Sequence, residues 1–130
     1  MLDSANAARW TVLATAVEVA ATGLVLFVRP SLFAWLVFGA DLSEAGNALG
    51  RLAAIALLGL VLAIWPTPAT TSHLASSIRA LLIYNLLATI YLLYVGIDGQ
   101  PTGILLWPAV ALHAVFSVLL GRTRFILNER

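Results

Sequence analysis

The chain has 130 residues, 62% hydrophobic and only 10% charged, with a mean hydropathy of +0.99. Soluble globular domains carry about a quarter charged residues, so this composition is that of an integral membrane protein. The absence of cysteine excludes structural disulfides, thiol redox chemistry, thioether-linked haem and thiolate metal sites, and a net charge of +1 with seven scattered arginines offers no basic patch to nucleic acid.

The first apolar run, Trp10 to Val28, is too long for a signal-peptide core, is interrupted by Glu18 and lacks a small-residue cleavage site before Arg29 and Pro30. It reads as a retained membrane helix. Crossing a bilayer takes about 20 mostly apolar residues, and four segments meet or approach that length, at about 10–28, 48–65, 78–96 and 103–120. Arg29-Pro30, Trp65-Pro66, Gly96 to Gly99 and Gly121-Arg122 bound them. None alternates with period two, and lipid supplies no partners for an open backbone, so the spans are predicted to be helices.

After the first span, Ser31 to Gly39 is apolar but too short to cross. Its Phe33, Trp35 and Phe38 suit either a segment in the headgroup zone or a re-entrant turn against the bundle. Asp41 three residues before Glu44 reads as an N-cap pair opening the second span. A Pro/Thr/Ser linker over 66–77 precedes the third span, and a tight hairpin joins the third and fourth. The expected fold is all-α: one polytopic membrane domain over 1–130, a four-transmembrane-helix bundle with a short interfacial or re-entrant segment after helix 1.

Four crossings put both termini and the 66–77 linker on one face. That face carries Arg9, Arg79, Arg122, Arg124 and Arg130 against Asp3 and Glu129, whereas the other carries Arg29 and Arg51 against Asp41, Glu44 and Asp98. The arginine excess predicts cytoplasmic termini. An echo of "GLVLFVRP" (23–30) in "GLVLAIWP" (59–66) fits either an inverted repeat or the ordinary frequency of Gly and Leu in membrane helices.

Four polar residues fall inside the spans: Glu18, Arg51, Asn85 and His113. At the helical rise of about 1.5 Å per residue, Glu18 and His113 lie about 12 Å and Asn85 about 9 Å from the cytoplasmic ends, while Arg51 lies about 21 Å away. The first three therefore share a layer. Arg51 is expected to snorkel outward, or to bind interfacial carbonyls or lipid phosphate, with His113 the better partner for Glu18. Small or hydroxylated residues flank the site: Thr11, Ala14, Thr15, Ala21 and Thr22 on helix one, Gly46, Gly50 and Ala54 with Ala56, Gly59 and Ala63 on helix two, and Ala109 and Ser117 around His113. Tyr84 and Tyr91, a heptad apart with Ala88 between them, complete a polar seam.

A carboxylate in hydrocarbon must gain a partner or take up a proton. Beside a histidine it forms a proton site or a polar anchor for a ligand; the competing reading is that Glu18, Asn85 and His113 only hold the helices together. Haem ligation by His73 and His113 would need two residues some 20 Å apart in depth, and no metal-ligand spacing occurs, so no metal or cofactor is expected.

The stretch "AVEVAATGLVL" resembles the first helix of the small multidrug resistance transporters, whose single membrane glutamate is shared between protons and cationic substrate in an antiparallel dimer. The stretches "LGRLAAIALLGLVLAIWP", "RALLIYNLLATIYLLYVG" and "LLWPAVALHAVFSVLLGR" resemble a family of small bacterial four-helix membrane proteins without an assigned activity. That resemblance implies a bacterial inner membrane and marks Arg51, Asn85, Trp107, Pro108 and His113 as motif positions.

The residues suggest three functions, of which the first is favoured and the others are alternatives. The first is proton-linked transport or binding of a small apolar or cationic molecule at Glu18, Asn85 and His113. The second is a non-catalytic accessory or assembly subunit docking through the small-residue faces and Ser31–Gly39, and the third a membrane enzyme acting on a lipid-like substrate. The expected partners are the bilayer, further copies of the chain or a membrane subunit, and no nucleic acid.

Overall fold

A computed structural model describes residues 2–65, 71–98 and 102–128. It contains α1 (Leu2–Val28), α2 (Pro30–Phe38), α3 (Glu44–Ile64), α4 (Thr71–Ile97) and α5 (Leu106–Asn128), with no strand among the described residues. Four of these helices, all but α2, are long and apolar enough to cross a membrane. Residues 66–70 of the linker, 99–101 of the hairpin, and Glu129 and Arg130 of the charge count lie outside the described residues.

The helices overrun the apolar segments that announce them. α1 starts at Leu2 rather than near 10, α3 at Glu44 rather than 48, α4 at Thr71 rather than 78, and α5 runs on to Asn128. Ala, Ser, Asn and Arg continue a helix without being apolar, so hydropathy marks the greasy part of a helix and not its length. His73 consequently sits in the first turn of α4 rather than in a linker.

Local chemistry sets the breaks. Pro30 disfavours helical backbone in the residue before it, and Arg29 adopts φ −138°, ψ 71°. The chain turns there, and α2 resumes with proline at its first position. Gly39 ends α2 in the left-handed region, φ 68°, its N–H donating to Trp35 O at 3.0 Å. The N-cap of α3 is Ser43, whose Oγ accepts from Gly46 N at 3.1 Å; Asp41 is not the cap, because a cap must stand immediately before the first helical residue.

α1 packs mainly on α3 and α4 on α5, with sparser contact between the two pairs. In the second pair the buried positions recur at heptad spacing. Ile78, Asn85 and Leu92 on α4 face the centre, as do Leu106, His113 and Leu120 on α5. Ile78 and Leu120 belong to one buried cluster with Val12, Val19, Val61 and Ile64, and Leu92 and Leu106 to a second with Val37. Asn85 and His113 are thus the middle layer of an antiparallel seam, between the apolar pairs Ile78–Leu120 and Leu92–Leu106. A polar layer of this kind fixes helix register.

The small-residue faces are partly as expected. Ala54 is buried, and a Cβ on Gly50 would meet the Pro30 Cβ at 2.9 Å, so glycine lets α3 approach the α1–α2 corner. On α1 the core face runs through Ala8, Val12, Thr15, Ala16 and Val19, while Ala14 and Ala21 point outward. Ala56, Gly59 and Ala63 are exposed too. Within the sequence echo, a Cβ on Gly23 would lie 3.2 Å from Leu58 whereas one on Gly59 would meet nothing within 4 Å. The two copies occupy unlike environments.

The contrast is measurable as thermal stability of the purified protein in detergent. Gly50→Ala is expected to cost about 1–3 kcal/mol through overpacking, whereas Gly59→Ala should gain up to about 1 kcal/mol from helix propensity. Equal effects would contradict the packing described.

Candidate functional site

Beside the second cluster, whose Val37 and Leu92 form part of its wall, α1, α2, α4 and α5 line a half-open pocket of about 250 Å³ whose other residues include Glu18, Thr22, Phe33, Pro108, Ala109 and His113. Its walls are apolar apart from Glu18 and Thr22 on one side and His113 on the other. α2 supplies Phe33 and Val37, so the short apolar segment closes one wall of the site.

Hydrogen bonding assigns the histidine. Asn85, fully buried, donates from Nδ2 to its own helix at Leu81 O (2.9 Å). That bond orients the amide, leaving Oδ1 to face His113 Nδ1 at 2.8 Å. Because Oδ1 can only accept, Nδ1 carries a hydrogen and donates. A neutral imidazole then has its lone pair on Nε2, which makes no hydrogen bond among the described residues. The Tyr84 ring packs edge-on against the imidazole, centroids 5.7 Å apart, and Ser117 Oγ donates to the His113 carbonyl at 2.8 Å.

Glu18 is half satisfied. Oε1 accepts from Thr22 Oγ1, one turn on, at 3.1 Å. Oε2 is buried without a hydrogen-bond partner. The expected Glu18–His113 pair is therefore replaced by two local arrangements, Glu18 with Thr22 and His113 with Asn85, both facing one pocket. The reason is reach: Asn85 stands opposite His113 across the tight α4–α5 seam, whereas α1 belongs to the other pair.

The remaining candidates separate. Tyr84 lies within electrostatic range of Glu18 and beside His113. Tyr91 does not join it and is 59% exposed; like Tyr84 it stands one position before a buried seam residue, but one heptad further along α4, away from the level of His113. Arg51 is exposed, with Nε donating to Phe27 O at 3.4 Å, away from the pocket. Phe33, Val37 and Pro108 carried no signal of their own in the sequence as pocket residues; the aromatic spacing of Ser31–Gly39 pointed to α2 as an element only.

Chemically, the pocket is lined by one glutamic acid and one histidine among mostly apolar residues, and the partnerless Glu18 Oε2 is itself buried. Both side chains can hold or release a proton, and both can accept from a ligand N–H or face a cation. Among the described residues no three histidine or acidic side chains converge. Comparison with protein families, curated proteins and solved structures finds no match for the chain.

Proposed function

We propose that this is an integral membrane protein whose four long helices cross the bilayer, and that its pocket binds a small, largely apolar cation in exchange for a proton on Glu18. The outer surface supports the membrane reading. Large apolar side chains such as Leu62, Ile90, Val115 and Val118 are exposed on the long helices, an arrangement that water would penalise. Tryptophans stand exposed toward both ends, Trp10 and Trp65 at one and Trp35 and Trp107 at the other, as in interfacial belts. At about 1.5 Å per residue, α3 spans roughly the 30 Å of a hydrocarbon core. The arginine excess favours cytoplasmic termini, and the family resemblances favour the inner membrane of a bacterium.

The observation that carries the functional reading is the buried, unpartnered Oε2 of Glu18, a residue that lines a pocket together with His113. A group that served only to hold helices together would be paired. At about 250 Å³ the pocket suits a ligand smaller than the usual drug-sized guest, for which benzyltrimethylammonium is a fitting probe. Its charge is permanent, so every proton exchanged belongs to the protein. Such proton-linked binding is the elementary step of proton-coupled transport.

The tests are direct. Since the native chain has no cysteine, single cysteines report sidedness: Asn6→Cys and Arg124→Cys should be labelled by an impermeant maleimide only from the cytoplasmic side, and Ala40→Cys only from the opposite side. Isothermal titration should show the probe binding to wild type and not to Glu18→Gln. Labelling of all three sites from one side, or equal binding by both proteins, would refute the proposal. The outward Ala56, Gly59 and Ala63 stripe favours a second reading in which a helix of another copy or of a membrane subunit docks on α3. A stoichiometric partner that co-purifies with the wild type, together with failure to bind the probe, would select it.

A further inference from the structure

At the end of the bundle opposite the chain termini, the α1–α2 corner and α3 enclose a groove of about 780 Å³, lined among others by Arg29, Ser31, Leu32, Glu44, Asn47 and Arg51. Its floor is built rather than incidental. Ser31 Oγ donates to Asn47 Oδ1 at 2.7 Å, tying α2 to α3, while Asn47 Nδ2 donates to Ser43 O at 3.1 Å and reaches Leu42 O at 3.4 Å. Arg51 spends only Nε, on Phe27 O. Neither arginine makes an ion pair among the described residues, although Glu44 lines the same groove. The Phe27 contact places the Arg51 guanidinium level with the end of α1, and Arg29 lines the same groove.

Each guanidinium is a fork of N–H donors that suits phosphate oxygens, and two of them line this groove. From these groups we infer that the groove binds the phosphate of a membrane lipid headgroup. Two positive charges and one carboxylate leave a single net positive charge, which matches the one negative charge of a phosphodiester. Inorganic phosphate, a mixture of mono- and dianion near neutrality, would in its dianionic form meet Glu44 with its second charge uncompensated. The inference rests on the membrane-spanning reading and is independent of the Glu18 pocket, so Glu18→Gln should leave it unchanged.

Native mass spectrometry of the full-length protein in detergent, titrated with dioleoylphosphatidylglycerol, tests it. The double variant Arg29→Gln/Arg51→Gln is expected to lose about tenfold in affinity per arginine, whereas Arg122→Gln/Arg124→Gln, at the other end, should stay within about twofold. Arg29→Lys/Arg51→Lys, which keeps the charge and guards against a folding defect, should bind more tightly than the glutamine pair. Equal losses for the two glutamine pairs would overturn the proposal, as would displacement of the lipid by millimolar inorganic phosphate.

Discussion

Gly103→Ala is expected to be the most damaging single-methyl change in the protein, lowering its stability by about 4 kcal/mol, from overpacking plus two lost hydrogen bonds. Gly103 N donates to Val37 O at 3.1 Å and Leu105 N to Leu36 O at 2.8 Å, so the loop before α5 satisfies two carbonyls at the end of α2. A Cβ on Gly103 would run into the Leu36 carbonyl and come within 2.5 Å of Trp35 O. These are backbone atoms, which cannot rotate aside as a side chain would. Glycine is required here by contact, since Gly39 is the one described glycine with positive φ. Relief means lifting the loop off α2, which also loosens the Phe33 and Val37 wall of the pocket. Chemical denaturation in detergent would measure the loss; a Gly103→Ala protein as stable as wild type would contradict the docking of α2 described here.

The second large effect has the opposite sign. Glu18→Leu is expected to raise stability by about 1–3 kcal/mol, because it removes a buried oxygen that has no partner and supplies apolar contact in its place. The sole hydrogen bond of Glu18 among the described residues, from Thr22 Oγ1 on the same helix, ties no two helices together. Thr22 can instead turn to a carbonyl one turn back, as Thr15 does to Thr11 O. The same variant should no longer bind benzyltrimethylammonium. A gain in stability with a loss of binding marks a residue retained for function. If Glu18→Leu destabilised the fold, Glu18 would be a structural residue and the pocket reading would fail.

The four long helices were legible because proline, glycine and charge punctuate the apolar runs, and depth put Glu18, Asn85 and His113 in one layer but paired His113 with Glu18, whereas it faces Asn85. Depth is one coordinate of two. It ranks residues along a helix but says little about which face turns inward. Tyr84 and Tyr91, equivalent by heptad spacing, part company because only the level of Tyr84 has Glu18 and His113 beside it. The orphaned Oε2 depends on where α1 stands relative to the α4–α5 pair, a tertiary distance with no local trace. Gly103 was likewise invisible: an ordinary hairpin glycine in sequence, it matters because the end of α2, far upstream in the chain, folds back onto it.

The most direct measurement is of protons released when benzyltrimethylammonium binds the purified protein in weakly buffered detergent solution, followed from mildly acidic to neutral pH. Exchange at Glu18 requires release approaching one proton per bound cation in wild type, and none from Glu18→Gln. Binding to wild type with no proton release at any of these pH values, or equal release from the variant, would contradict the account.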